Sequence, residues 1–540
     1  MVKLPEPFFC LTMPTQKSLQ RIFAELPAPF TLDNVPDVQI NGVSIDSRAV
    51  KPGHLFVAMT GGTLDGHNYI HSAIDKGAAA VVGEKDITGL SVSYIRLENT
   101  RRVLTWIAGA FHDWPGRKLT VIGVTGTDGK TTTTNLLHTI LLTANIRAGM
   151  ISTVNAVIGN EVLDTGFHVT TPDAHDVQRY LAMMVDAGLT HVVLETTSHG
   201  WSQHRVDACE FDIGVVTNIT HEHMNEHGNY ENYRAAKARL FSSLEITLDK
   251  PQGNPRLGVI NRDDVKSFDF LNDFIKVNKL NYGLSEGADI RAVDISYGPS
   301  GIHFTAQGKD FQVDVTSKLV GTFNISNCLA ALSAAVYGLG ITPEVVAQGI
   351  ASLVGIPGRM ERIDLGQNFT AIVDFAHSPN ALKSALEAAR TMAGKRVICA
   401  FGSAGLRDKE KRRMMAETSA ELADLTVLTA EDPRTESLDG ILEEMAAGAR
   451  SKGGTEGQTF WRIPDRGEAI RFALKLANPG DIVLSCGKGH EQSMCFGKTE
   501  YPWDDRTAMR AALAEYLNME GPEMPYLPSS DKLEEEWLRG

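Results

Sequence analysis

The sequence predicts an α/β protein of three domains. These are a small N-terminal α/β unit, a central phosphate-loop ATPase-type unit on a parallel sheet, and a C-terminal Rossmann-like unit. Three observations predict this. The chain has 540 residues, room for about three domains of ~150 residues each. Short apolar runs alternate with helical patterns, as in parallel α/β sheets. Run after run then ends in a polar or glycine-rich loop, at the edge where such sheets bind ligands.

The first unit, residues 1–118, opens with a short helix at 18–26 and a loop at 27–34. Residues 43–45 and 55–58 read as strands, with Asp46, Ser47 and Arg48 in the turn between them. A helix at 71–76 and a strand at 78–82 follow. Alone, Ser47 and Arg48 are a solvated turn. Asp113-Trp114-Pro115-Gly116 has the composition of a linker.

The second unit, residues 119–355, is organised on VIGVTGTDGKTTTT at 121–134. Residues 121–124 read as a buried strand, and residues 135–142 carry the apolar spacing of a helix packed on a sheet. Between them the backbone of Gly126, Thr127, Asp128 and Gly129 can approach phosphate oxygens, helped by the helix N-terminus. Lys130 would reach the β and γ phosphates of a nucleotide, and Thr131 would offer its hydroxyl to Mg²⁺. Position 124 is Val, so this is the short Gly126-x-x-Gly129-Lys130-Thr131 form. As a bare string that could be an ordinary turn; between a strand and a helix it reads as a nucleotide site. The apolar runs at 191–194 and 211–217 deliver Glu195 and Asn218, so Lys130, Thr131, Glu195 and Asn218 are expected to converge.

His221, His223 and His227 follow in one loop. Imidazoles suit zinc, yet beside a nucleotide Mg²⁺ on oxygen ligands is the better expectation. Lys237, on an amphipathic helix, reads by itself as a surface lysine. Residues 258–264 read as a strand entering a polar loop. The alternation over 292–315 is antiparallel, broken by Pro299, Gly301 and Gly308, and an alanine-rich helix spans 328–337. Asn324 and Asn327, three apart at its start, either cap it or touch a base and ribose.

The third unit, residues 356–540, has strands at 369–374, 396–401, 425–429 and 481–485. They lead into loops containing His377, Arg407, the stretch Glu431-Asp432-Pro433-Arg434, and Gly487-Lys488-Gly489-His490-Glu491. The tail after 519 reads as peripheral.

Apolar residues make up 43% and charged residues 22% of the chain, as in a soluble globular enzyme. A net charge of −14 with no concentrated basic patch argues against nucleic-acid binding. The six cysteines lack any Cys-x-x-Cys spacing and read as reduced thiols of a cytosolic protein. The proline-interrupted N-terminus is no secretory signal, and no window approaches the ~20 apolar residues of a membrane span.

In this order, DSR, GTDGKTT, TTP, QHRV, YRAAKARLF, NISN, GRMER, DFAHSP, RDK, DPR and GKGHE resemble the Mur ligases over residues 43–513. Within that family the likeness is to the MurE branch, which adds a diamino acid to UDP-N-acetylmuramoyl-L-alanyl-D-glutamate. The resemblance implies a UDP-substrate domain, an ATP domain and an amino-acid domain over the units given above. It implies ATP and Mg²⁺ as cofactors, a UDP-linked muramoyl dipeptide and a diamino acid as partners, a monomer, and a cytoplasmic location.

Residue by residue, Gly126, Thr127, Asp128, Gly129, Lys130, Thr131 and Thr132 would bind the ATP phosphates. Asn324, Asn327, Arg359 and Asp374 would surround the base and ribose. Lys130, Glu195, His223 and Lys237 would be catalytic, with Thr131, Glu195, His223 and Lys237 at the metal. Lys237 matches a lysine that the family carbamylates with CO₂, against the surface reading. Ser47, Gly62, Thr63 and Leu64 would face uridine. Thr170, Thr171, Thr197, Gln203 and Arg205 would face the muramoyl peptide. Arg407, Asp432, Pro433, Arg434, Gly487 and Glu491 would form the amino-acid pocket.

The chain departs from the family pattern at four places. Asp128 stands where Asn is usual, and Thr196-Thr197 where Val-Ser is usual. Glu222-His223-Met224-Asn225 replaces Asp-His-Leu-Asp, and Glu431-Asp432-Pro433-Arg434 replaces Asp-Asn-Pro-Arg. Arg434 and Glu491 suit diaminopimelate, which is favoured; Asp432 leaves lysine or ornithine as alternatives. Rival readings are a folylpolyglutamate-synthase-like or other Mur-like ligase, a non-catalytic Mur-like binding protein, and a plain phosphate-loop NTPase.

Overall fold

The computed structural model describes residues 16–32, 34–61, 64–163, 171–220, 227–298, 301–392 and 394–529. Its N-terminal sheet is parallel, in the order β1 (Gly42–Ser44), β2 (His54–Val57), β3 (Ala80–Gly83) and β4 (Ser93–Arg96). Helix α1 (Thr100–Phe111) lies on it and packs Val103, Leu104 and Ile107 into an apolar cluster with Leu55, Val57 and Val82. Sequence patterning did not reveal β4 or α1.

The central sheet is built on β5 (Thr120–Thr125), followed by α2 (Lys130–Thr143) and β6 (Ala148–Ile151). A hairpin of β7 (Ala156–Ile158) and β8 (Glu161–Leu163) comes next, then α3 (Ala174–Asp186), β9 (His191–Glu195) and β10 (Ile213–Val216). Helix α4 (Tyr230–Ile246) precedes β11 (Leu257–Asn261), β12 (Asn278–Gly283), and the antiparallel β13 (Ile290–Gly298), β14 (Gly301–Gln307) and β15 (Gln312–Ser317). The eleven strands run in the order β8-β7-β6-β9-β5-β10-β11-β12-β13-β14-β15. From β6 to β13 every pairing is parallel, with an antiparallel flank on each side. Strand β5 at the centre is buried throughout, which is why it reads as a continuous apolar run. One face packs Leu136, Leu137, Ile140 and Leu141 of α2, and the other packs Leu240, Phe241 and Leu244 of α4.

Helix α5 (Phe323–Ser333) begins five residues before the predicted 328. The reason is visible in its first turn. The Asn324 amide donates to the Val320 carbonyl (2.6 Å) and the Asn327 amide donates to Asn324 Oδ1 (2.9 Å), so neither asparagine acts as the N-cap acceptor.

The C-terminal sheet contains β16 (Glu361–Ile363), β17 (Thr370–Asp374), β18 (Val397–Phe401), β19 (Leu425–Leu428), β20 (Phe460–Arg462) and β21 (Ile482–Cys486). Its order is β16-β17-β21-β18-β19-β20, parallel except for β16. The tail is not peripheral as far as residue 529: Leu527 is buried, and Ser529 Oγ donates to Asp465 Oδ2 at 2.9 Å.

Candidate active site

Strand β5 ends in the turn that starts α2. Gly129 sits at φ 82° as the N-cap of that helix, and a Cβ there would fall 2.3 Å from Asn327 Oδ1. A glycine is therefore required twice over, by conformation and by space. The loop is held from the side by the segment after β10. The Thr127 N–H donates to the Asn218 carbonyl (2.7 Å), the Asp128 N–H to Asn218 Oδ1 (2.9 Å), and Thr217 Oγ1 to the Asp128 carbonyl (2.5 Å). Lys130 Nζ donates to the Thr127 carbonyl at 2.7 Å.

Thr131, at the start of α2, and Glu195, at the end of β9, meet as expected. Thr131 Oγ1 lies 3.2 and 3.1 Å from the two Glu195 oxygens. Glu195 is only 1% exposed. Its carboxylate also accepts from the Thr153 N–H (3.0 Å) and hydroxyl (2.9 Å). Thr153 was missed because β6, the strand before it, was not read from the sequence. The Thr131 and Thr153 hydroxyls beside this carboxylate form a set of hard oxygens that suits Mg²⁺. No cluster of three or more His, Cys, Asp or Glu forms a metal site among the described residues.

Lys237 is 2% exposed, which overturns its surface reading. Its Nζ donates to the Gly126 carbonyl at 2.5 Å and lies 4.6 Å from the centre of the Tyr233 ring. The Tyr233 hydroxyl in turn is 3.0 Å from Thr127 Oγ1. The amphipathic pattern of α4 could not show that its polar edge meets the phosphate loop. His223, Gly62, Thr63 and Thr170 lie outside the described residues; His227 Nε2 is 3.1 Å from Ser198 Oγ.

A cavity of about 1090 Å³ opens between the central and C-terminal sheets, lined by Asp128, Gly129, Thr132, Asn324, Asn327, Arg359 and Asp374 among others. Arg359 spans it, with Nη2 3.3 Å from Thr131 Oγ1 and its guanidinium 4.6 Å from the centre of the Phe375 ring. The buried Asp374 accepts the N–H groups of Met360 (2.6 Å) and Ala376 (2.8 Å). Burial pushes its carboxyl up against the opposing pull of Arg359 and these N–H groups, and Asp128 adds to the rise.

Phe375 also connects this cavity to the loops that carry His377 and His490. Its ring lies 4.4 Å from His377 and 4.8 Å from His490. Burial drives both imidazoles down to about 3, so they are neutral. Beside them Asp432 Oδ1 accepts from the Cys495 N–H (2.9 Å) and from Lys488 Nζ (3.1 Å), and Lys488 Nζ reaches Glu491 at 2.5 Å. Burial opposes the Lys488 charge, but Glu491 and Asp432 outweigh it and raise its pKa. The negative charge of Asp432 is thus already met by a buried lysine that sequence reasoning did not single out.

Glu431 is 6% exposed, its Oε2 has no hydrogen-bond partner, and a Cβ on Gly487 (φ 113°) would fall 2.4 Å from that oxygen. Burial pushes Glu431 up to about 7, opposed by Lys411 and Arg466 and helped by Asp432. Pro433 is buried beneath Gly405, Arg434 Nη1 is 3.4 Å from the Gly405 carbonyl, and Arg407 is exposed at the rim. Behind these loops the buried Arg466–Asp505 pair joins them: Arg466 donates to the carbonyls of Ala430 (3.1 Å) and Cys486 (2.5 Å).

On the N-terminal side, Thr171 Oγ1 is 3.2 Å from Thr197 Oγ1, and Thr197 caps the short helix Ser198–Ser202. Arg205 donates to the Thr171 carbonyl (2.6 Å) and to Gln203 Oε1 (2.8 Å), and it pairs with Asp173 at 3.2 Å. Ser47 is buried, whereas Leu64 is exposed.

Comparison with known proteins is consistent along the chain. Residues 39–112 match the model of the Mur ligase family catalytic domain, 124–335 the Mur ligase middle domain, and 358–489 the Mur ligase glutamate ligase domain. A UDP-N-acetylmuramyl-tripeptide synthetase of Roseiflexus sp. is 42% identical over 88% of this chain and 95% of its own. A UDP-N-acetylmuramoyl-L-alanyl-D-glutamate–2,6-diaminopimelate ligase of Geobacillus thermodenitrificans is 37% identical over 92% and 99%. A solved structure of a ligase of that second name has a TM-score of 0.63 at 30% identity, covering 93% of this chain and 99% of its own. With three family models in order and relatives matched nearly end to end, this chain belongs to the Mur ligase family.

Proposed function

We propose that this chain is an ATP-dependent amide ligase that adds a diamino acid to UDP-N-acetylmuramoyl-L-alanyl-D-glutamate through an acyl phosphate, a step in making peptidoglycan precursors. Diaminopimelate is the favoured acceptor, with lysine or ornithine as alternatives. The observation that carries the reading is the cavity between the two sheets, lined by Asp128, Gly129 and Thr132 of the 126–132 turn and by Arg359, which reaches Thr131 on one side and stacks on Phe375, itself against His490, on the other. The names of the relatives support the substrate class. Residues 1–118 would hold the UDP substrate, 119–355 ATP, and 356–540 the diamino acid. A monomer working in the cytoplasm fits this reading; no helix among the described residues is long and apolar enough to cross a membrane.

In this reaction the terminal D-glutamate carboxylate attacks the γ-phosphate, giving an acyl phosphate and ADP, and the incoming amine displaces phosphate. The loop N–H groups and Lys130 bind the transferred phosphoryl group and balance its charge. Thr131 and Glu195, with His223, would hold Mg²⁺, which when bound offsets the negative charge of the phosphates. Carbamylated Lys237 would add an anion beside that set. Thr171, Thr197, Gln203 and Arg205 orient the peptide, with Ser47, Gly62, Thr63, Leu64 and Thr170 on the same substrate. Arg407 and Arg434 match the carboxylates of diaminopimelate, and Glu491 and Asp432 share the one buried Lys488, which leaves one negative charge between them to meet an amine.

The test is phosphate release from ATP and Mg²⁺ with the UDP-linked dipeptide and each diamino acid in turn. Release that needs both the dipeptide and one diamino acid establishes the ligase and its acceptor; release without any acceptor makes it a plain NTPase. For the carbamate, activity should fall on CO₂ depletion and return with bicarbonate. Activity indifferent to CO₂ counts against it.

A further inference from the structure

We propose that Arg412 and Glu436 are positioning residues for the incoming amino acid. They tie the turn that carries Arg407 to the turn that carries Arg434, and so fix where Arg407 meets a carboxylate of that ligand. This rests on the functional reading above, which puts both arginines on the diamino acid, and adds how one of them is held in place.

The two turns follow β18 and β19 and lean on each other through main-chain atoms. The Gly405 N–H donates to the Asp432 carbonyl at 2.9 Å, and a Cβ on Gly405 would fall 2.0 Å from the Pro433 carbonyl oxygen. Three residues here adopt the left-handed conformation that is uncommon outside glycine: Leu406 at φ 56°, Asp432 at 40° and Arg434 at 54°. Backbone of this kind persists only where its surroundings hold it. Asp432 is held by Lys488 and the Cys495 N–H, and the Arg434 N–H donates to the Cys495 carbonyl at 3.0 Å. Leu406 is 59% exposed, so packing does not hold it. Its N–H donates to Glu436 Oε1 at 2.8 Å.

Glu436 joins the two turns. Its Oε2 accepts from Arg412 Nη2 (2.6 Å), which also donates to the Ala404 carbonyl (3.3 Å). Arg412 Nη1 donates to Glu444 Oε2 at 2.9 Å, and Lys409 lies 3.8 Å from the other Glu444 oxygen. One cation and one carboxylate thus grip Ala404 and Leu406 on either side of Gly405, immediately before Arg407. Arg412 is 1% exposed, so it does not meet a ligand itself. The Leu406 N–H, and after it Arg412, hold the Glu436 carboxyl below the ordinary carboxylate range, which keeps it charged near neutral pH. Arg407 is exposed and, like Arg434, makes no ion pair among the described residues. Its guanidinium fork is left for a carboxylate of the ligand.

The experiment is steady-state phosphate release by the full chain at saturating ATP, Mg²⁺ and UDP-linked dipeptide, varying the diamino acid that the wild type accepts. Glu436→Ala should lower kcat/KM for the diamino acid by about 5- to 50-fold, chiefly through KM. KM for ATP and for the dipeptide should stay within about twofold. Because the pair acts through Arg407, Glu436→Ala should change kcat/KM by less than about twofold once Arg407→Ala is present. Should Glu436→Ala not fold, Glu436→Gln decides, since it keeps an acceptor for the Leu406 N–H and loses the charge facing Arg412: kcat/KM for the diamino acid must still fall by at least about threefold. An unchanged acceptor KM overturns the proposal, as does a rise shared by all three substrates. Losses that multiply in the double variant also overturn it, since a merely structural role would not depend on Arg407. A wild-type chain that releases phosphate with none of the diamino acids removes the functional reading itself.

Discussion

Glu431 shows how a single side chain in this fold carries a pH dependence. Its folded pKa of about 7 lies above the 4.5 of an ordinary glutamate because it is buried with one oxygen unpartnered. The unfolded chain releases this proton first as pH rises, so the contribution to stability is intact below about 4.5 and is lost on the way through 7. Glu431→Gln, which cannot ionise, should melt close to wild type at pH 5 and above it at pH 8. A melting difference that does not change with pH would remove the shift. Residues that follow a strand were the most legible: Thr131 and Glu195 were expected to meet because Glu195 ends β9 and Thr131 opens the helix reached from the end of β5, and they do. Lys237 misled because amphipathicity records only whether a helix face is polar, and here the polar face is covered by another loop.

At the scale of elements, the phosphate turn and the strand beneath it each have a breakable joint. Gly129→Ala would combine a φ of 82° with a contact 2.3 Å from Asn327, at a cost of about 1–3 kcal/mol. ATP affinity should drop at least tenfold, with UDP binding retained; calorimetry on both ligands checks it. Lys250 and Asp212 form a fully buried pair, in which Lys250 Nζ also donates to the Leu119 and Glu210 carbonyls while the Val121 N–H donates to Asp212. Asp212→Ala leaves a cation stranded at the root of β5 and should cost about 3–5 kcal/mol, read as a lower denaturation midpoint. A midpoint within error of wild type would contradict it. Most strands were legible from apolar runs. Those that were not include β4, which has only Tyr94 and Ile95 between Ser93 and Arg96, and β6, half of which is Ala148 and Gly149. The start of α5 was misjudged because Asn324 and Asn327 satisfy each other inside the helix instead of capping it.

For the whole molecule, the cavity between the two sheets belongs to no single unit. The central sheet supplies the phosphate loop, and the C-terminal sheet supplies Arg359 and Asp374. Ligand that binds only this assembled state stabilises it by about 2.7 kcal/mol at a hundredfold excess over Kd. A non-hydrolysable ATP analogue should therefore raise the melting of both units together, and Arg359→Ala should lessen that rise. Closure around all three substrates predicts a smaller radius of gyration by small-angle scattering; identical profiles with and without ligands would exclude it. The three-unit layout was legible because each unit restarts the strand–helix alternation. What stands between the units was not, since a path such as Thr131–Arg359–Phe375–His490 joins positions far apart in sequence.

The Arg466–Asp505 pair bears on how such an enzyme changes over generations. It grips the Ala430 and Cys486 carbonyls from inside the domain and is itself secured by Trp503 and Ser485. The loops that follow Ala430 and Cys486 are thus fastened at their roots through main-chain atoms, whatever side chains they display at the front. Substitutions at 431 or 434 leave these main-chain ties in place, whereas Asp432 is itself a tie, to Lys488 and the Cys495 N–H. Under the proposed function, a lineage can in this way exchange one incoming amino acid for another by small inherited steps, each passing through a folded protein.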